Sequence, residues 1–134
     1  MSRFSKDSLL AAIASVLVVA AVIRGLFMIG PLDEQRKRKF DEKRIADLQQ
    51  ASTSINYYYS THHELPEHLT ALAGEPGLKI QLIDPETSDP YSYKKLSADT
   101  YELCAKFSME SDDRMDFRWS HKAGKTCYRL TVRH

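Results

Sequence analysis

Much of what would announce a chemistry is missing from this chain. Its 134 residues hold only two cysteines, Cys104 and Cys127, which permit one disulfide and cannot build a four-cysteine zinc site. An excess of charge is missing too. Lys plus Arg number 19 against 18 Asp plus Glu, a formal charge of +1, and the two signs are mixed along the chain. Nothing in that balance argues for nucleic acid or for an anionic lipid surface. No Gly-x-Ser-x-Gly, P-loop, dinucleotide fingerprint or His-Glu-x-x-His occurs, so no positive signal supports an enzyme. No tandem repeat or low-complexity tract is present.

What the chain does have is one long apolar run. Leu9 to Ile29 reads LLAAIASVLVVAAVIRGLFMI, apolar except for Ser15 and Arg24. A helix of that length spans about 30 Å, the hydrocarbon thickness of a bilayer. Arg24 lies near the far end, where its side chain can snorkel to the headgroups. A cleaved signal peptide is the alternative, with Arg3 and Lys6 as its charged region and Val19-Ala20-Ala21 as a cleavage site. The run resumes after Arg24 as Gly25-Leu26-Phe27-Met28-Ile29, which favours a retained anchor. Orientation draws on two opposed signals. Arg36, Lys37, Arg38, Lys39, Lys43 and Arg44 outnumber Arg3 and Lys6, which places the body in the cytoplasm. Those cations are interleaved with Asp33, Glu34, Asp41 and Glu42 in a helix with its own use for them, and the cysteines suit an oxidising compartment. The expectation is therefore a body outside the cytoplasm.

The expected layout is an N-terminal tail over 1–8, a transmembrane helix over 9–30 and a folded body over 31–134. Gly30-Pro31 punctuates the exit from the membrane, and from Leu32 to about Thr61 there is neither Pro nor Gly. Asp33 precedes Lys37 and Glu34 precedes Arg38 at the favourable spacing. Ile45, Leu48, Ser52, Ile55 and Tyr59 then make one helical stripe. The first turns are read as solvated, the later ones as amphipathic. Pro66 is expected to open a short helix with Leu65, Leu69 and Leu72 on one face, followed by a loop at Gly74 and Pro76-Gly77. Beyond Asp84-Pro85 and Asp89-Pro90 the period changes to 2. Strands are expected over 91–95, 101–107 and 126–132, with a turn at Ser97-Ala98-Asp99. Tyr101, Leu103, Ala105 and Phe107 face inward, as do Tyr128, Leu130 and Val132. The fold class is α+β: a helix packed on a three-stranded antiparallel sheet.

Alternation sends Cys104 and Cys127 to the opposite face of their strands from the core. If the two strands are antiparallel neighbours, the sulfurs share one face and can meet across the pair. Such a bridge stabilises a small body by about 3 kcal/mol. Two reduced thiols in a cytoplasmic protein are the alternative.

The apolar helix leading into an amphipathic one, then Leu65-Pro66, then Asp84-Pro85, Asp89-Pro90-Tyr91-Ser92-Tyr93 and Tyr101-Glu102-Leu103-Cys104-Ala105-Lys106-Phe107, resembles the major pseudopilin of type II secretion and related type IV pilin-like proteins. The resemblance covers Leu9 to the C-terminus in architecture and is strongest in motif from Glu64 to Phe107. The prepilin peptidase site of that family is absent, because the apolar run follows Lys6-Asp7-Ser8 and contains no Glu between Leu9 and Ile23. The resemblance implies a pilin-like body in a bacterial envelope and a calcium site in the region of the acidic loop, for which Glu110, Asp112, Asp113 and Asp116 are candidate ligands. Arg114 in mid-loop and the lack of Gly favour a solvated loop instead, with Trp119 and His121 packing it down.

His62, His63, Glu64 and His68 cluster in sequence but face different ways around Pro66, and a solvated helix end is the reading adopted. Among Tyr57, Tyr58 and Tyr59, Tyr59 is read as core and the others as cover for the sheet edge. The function expected is a single-pass, non-catalytic, membrane-anchored pilin-like structural or interaction protein of the inner membrane, its C-terminal domain extracytoplasmic. It has no cofactor except a calcium candidate, no nucleic-acid partner, and partners in the envelope or copies of itself. The interaction surface is left unknown. Alternatives are a cytoplasm-facing accessory subunit of a membrane complex and a calcium- or ligand-binding sensor domain.

Overall fold

A computed structural model of the chain describes residues 6–28, 32–112 and 116–132. The chain divides into two units, Met1–Gln35 and Arg36–His134.

In the first unit, helix α1 covers Lys6–Met28. Its Ala, Leu and Val content contains no breaker before Gly25. The one hydroxyl in mid-run, Ser15 Oγ, donates to the Ala11 carbonyl at 2.9 Å, so the helix satisfies it internally. Every described side chain of α1 is exposed, Val16 by 67% and Leu17 by 65%. The helix is long and apolar enough to cross a membrane. The expected end of the run at Ile29, with Gly30-Pro31, lies outside the described residues.

Helix α2 covers Leu32–His62. It ends where His63 takes φ 57° and its N–H donates to the Tyr59 carbonyl at 2.8 Å, a left-handed cap on a non-glycine residue. Its buried face carries Ile45, Leu48, Ala51 and Ile55, with Ser52 and Tyr59 at the margin. The first turns, Leu32 to Phe40, hold no buried residue, in line with the sequence expectation. Burial begins with Asp41 and Arg44, just before Ile45, because the loops of the body come down over that stretch with partners for both.

The segment after α2 packs Leu65, Leu69 and Leu72 into the core. Its short helix starts at Leu69 rather than Pro66 and is 3₁₀, running to Gly74, because His68 is extended at φ −141°, ψ 150°. A 3₁₀ turn eclipses residues three apart, which is how Leu69 and Leu72 come to face the same way. Residues 82–91 then double back on themselves: Tyr91 N–H donates to the Leu82 carbonyl at 3.0 Å and Asp84 N–H to the Asp89 carbonyl at 2.8 Å.

Strands β1 (Ser92–Lys95), β2 (Thr100–Phe107) and β3 (Gly124–Thr131) form an antiparallel meander in the order β1-β2-β3. The β1–β2 turn closes through Ser97 Oγ, which donates to Asp99 and accepts from Thr100 N–H. Tyr101, Leu103, Ala105 and Phe107 face inward and are buried; Tyr128 and Val132 join them and Leu130 is partly covered. Across this face lie Ile45, Leu48, Ala51 and Ile55 of α2, so helix and sheet close one core. Ser52 Oγ and the Tyr101 hydroxyl, 2.8 Å apart, tie the two layers. Tyr57 is half exposed, whereas Tyr58 and Tyr59 lean on the flank of the core.

Candidate functional site

The densest polar chemistry surrounds Arg44, whose side chain is 1% exposed. Its Nε donates to Asp84 Oδ2 at 2.5 Å and its Nη2 to Asp84 Oδ1 at 3.0 Å, a two-pronged contact. Nη2 also donates to Glu86 Oε2 at 2.6 Å, and Nη1 to Asp41 Oδ1 at 2.7 Å and to Ser108 Oγ at 3.1 Å. That uses all five N–H donors a guanidinium carries. The acceptors are anchored in turn. Asp41 receives the backbone N–H groups of Ser108 and Met109, each at 2.8 Å, and Asp84 receives those of Glu86 at 2.9 Å and Thr87 at 3.0 Å. One turn along, Asp47 takes Lys43 Nζ at 2.7 Å and the Tyr91 hydroxyl at 2.9 Å.

This cluster joins α2 to the 82–91 loop and to the end of β2. Burial works against the charge on Arg44, but Asp84, Glu86 and Asp41 outweigh it and hold the guanidinium protonated more firmly than usual. Burial likewise pushes the Asp84 carboxyl upward, yet Arg44 and the Thr87 and Glu86 amides hold it below the ordinary carboxylate range. Burial, then the bond to Asp47, raises the Tyr91 phenol. Among the described residues no buried side-chain nitrogen or oxygen lacks a partner. The cluster therefore holds three chain segments together.

Cys104 and Cys127 are opposite one another in the β2–β3 register and their sulfurs are bonded at 2.13 Å. Both sit on the outer face, as alternation requires; Cys127 is exposed and Cys104 is 4% exposed. One grouping of metal-type ligands occurs among the described residues, Glu102 with Cys104 and Cys127, and its two sulfurs are already joined. Glu110, Asp112 and Asp116 of the acidic loop are exposed and enter no such grouping; Asp113 lies outside the described residues. His62 Nε2 lies 2.7 Å from Glu75 Oε1, with its ring stacked on Tyr58 at 4.2 Å, while His63, Glu64 and His68 are exposed.

The loop after β2 is pinned from inside. His121 stacks on Phe107 at 3.7 Å, its Nδ1 lies 3.1 Å from the Met109 carbonyl, and Ser111 N–H donates to the His121 carbonyl at 2.9 Å. Burial lowers the His121 pKa against the pull of Asp41, of the Met109 and Lys122 backbone and of Glu110. Trp119 packs on Tyr128 at 4.8 Å and its carbonyl accepts the Tyr128 hydroxyl, whose burial pushes that phenol up to about 12. A hollow of about 500 Å³ opens beside His121, bordered by Arg38, Asp41, Glu42 and Glu110.

Sequence reading missed Asp41, Arg44, Asp47 and Asp84 as a unit. The available signal was spacing: Asp41, Arg44 and Asp47 fall on or beside the positions that continue the Ile45–Leu48–Ile55 stripe. Compared with protein-family models, curated proteins and solved structures, the chain has no match. The arrangement of an apolar N-terminal helix and a helix-covered three-stranded sheet is compatible with a pilin-like fold.

Proposed function

We propose that the protein is a single-pass, non-catalytic, pilin-like structural or interaction protein of the bacterial inner membrane, its body held outside the cytoplasm. The observation that carries this is the contrast within the chain. The side chains of Ser8–Phe27 are all exposed, although most are apolar, while the body buries its own apolar face and pairs its buried polar groups. A helix that finds no cover in its own chain is matched by a bilayer, where backbone groups are satisfied within the helix. The bonded pair Cys104–Cys127 favours an oxidising side. Partners would be other envelope proteins or further copies of the chain.

A cytoplasm-facing accessory subunit is the competing reading, and a specific observation favours it. Arg36, Lys37, Arg38, Lys39 and Lys43 still outnumber Arg3 and Lys6. The buried Arg44 no longer belongs in that comparison, since its charge is matched inside the body. Labelling free thiols in intact cells, with and without prior reduction, decides between them. Cysteines that react only after reduction support the outer placement. Cysteines that react without reductant once the membrane is permeabilised overturn it. Melting with and without millimolar calcium tests the sensor reading separately, since a bound ion must raise the transition.

A further inference from the structure

On the outer face the strands themselves carry more cations than acids. Lys94, Lys106, Lys125 and Arg129 point away from the core, with Glu102 as the one acid on the strands. Asp89 borders the hollow beside Lys106 and Lys125, and Glu110 and Asp112 border the hollow beside Lys125 and Cys127. Glu102 stands between Lys94 and Arg129, a favourable cross-strand arrangement. Lys106 and Lys125, however, are directly opposed, which destabilises an antiparallel pair. Among the described residues none of these four cations forms an ion pair. Beside them runs β3, an eight-residue strand whose outer edge pairs with no other strand among the described residues. Such an edge offers a row of backbone donors and acceptors.

We propose that this face and the free edge of β3 dock an extended, acidic segment of a partner protein. A strand laid along β3 would take up the edge groups, and its carboxylates would meet Lys125, Arg129 and Lys106. A second copy of the chain fits less well, because antiparallel self-pairing about Cys127 sets Lys125 opposite Arg129. An anionic bilayer would meet the cations but leave the backbone edge without partners. The proposal deepens the interaction reading above and is independent of which side of the membrane holds the body.

The full chain in zwitterionic lipid nanodiscs, oxidised at Cys104–Cys127, serves for the test. The probes are a twelve-residue peptide alternating Glu and Thr, its Lys–Thr counterpart, and nanodiscs containing anionic lipid without peptide. Backbone amide shifts confined to β3 and neighbouring β2 are expected with the Glu–Thr peptide alone, weakening as salt rises. K106E/K125E should weaken binding about tenfold, and K106Q/K125Q by less, while K79E on a distant loop leaves it unchanged. K106E should also raise the melting temperature by about 2 °C, since it removes the opposed like charges. Equal response to the Lys–Thr peptide, no β3 shifts with the Glu–Thr peptide, or shifts only with anionic lipid would each overturn the proposal. None of these results bears on thiol accessibility in cells, so the docking site and the membrane placement fail separately.

Discussion

The two long helices of this protein reverse what composition suggests about burial. Helix α1 is almost entirely apolar, and the chain covers none of its described side chains. Helix α2 is rich in charge, yet it buries Asp41, Arg44 and Asp47 alongside Ile45, Leu48 and Ile55. Hydrophobicity states what a side chain gains from leaving water. Whether it leaves depends on what the fold sets against it. Arg44 leaves because three carboxylates and a hydroxyl are positioned to receive it. Leu17 is 65% exposed, with no such counterpart among the described residues.

The sharpest way to break that comparison is to remove the guanidinium. Arg44→Met leaves Asp41 and Asp84 buried without their cation, and urea unfolding should show a loss of about 3–5 kcal/mol, much of a small domain's stability. A loss under about 1 kcal/mol would mean water already reaches the cluster. Next come matched truncations. Leu48→Ala in α2 should cost about 2–5 kcal/mol, whereas Leu17→Ala in α1 should leave the unfolding of the body within about 0.5 kcal/mol of the parent. An equal cost at both positions would break the contrast between an exposed Leu17 and a buried Leu48.

Replacing both cysteines by serine should cost about 3 kcal/mol, read as a shift in denaturation midpoint between oxidised parent and variant. Tyr91→Phe removes the hydroxyl donor to Asp47 while Lys43 remains, and about 1–2 kcal/mol should go with it. The smallest effect is in acid. His121 has a lowered pKa in the fold, so stability should begin to fall as pH drops below its unfolded value of about 6.5. Asp84 is also lowered, and its contribution, present above an unfolded value of about 3.9, is lost only as pH falls through its folded value. A stability profile should thus descend in two stages, and Arg44→Met should abolish the lower one. A single descent in the parent would contradict the pairing at Asp84.

The elements that alternate or repeat cleanly were readable from residues alone. Tyr101, Leu103, Ala105 and Phe107 face inward and Cys104 meets Cys127 because a strand has only two faces, so one correct period sets every side chain. Leu65, Leu69 and Leu72 were placed on one face of a short helix, but not in 3₁₀ geometry, which depends on the extended backbone at His68. The Arg44 cluster was not legible, because its partners Asp84 and Ser108 lie 40 and 64 residues away. Without the fold, Asp41 and Arg44 look like any solvated pair on a charged helix. The basic outer face escaped for a related reason: a net charge of +1 conceals how the cations are sorted once strands are in register.

The placement of the disulfide has a mechanical consequence. If the C-terminal end of β3 were pulled away from the sheet, the rungs Thr131–Thr100, Leu130–Tyr101, Arg129–Glu102 and Tyr128–Leu103 would open in turn like a zip. The next rung is Cys127–Cys104, where a covalent bond stops the peeling. Under load the strand can therefore yield by four residues and no further, which leaves the Phe107–Gly124 end and the loop pinned by His121 out of the tear. A single-molecule pull on the oxidised chain should show that short, arrested extension, and reduction should convert it into complete detachment of the strand.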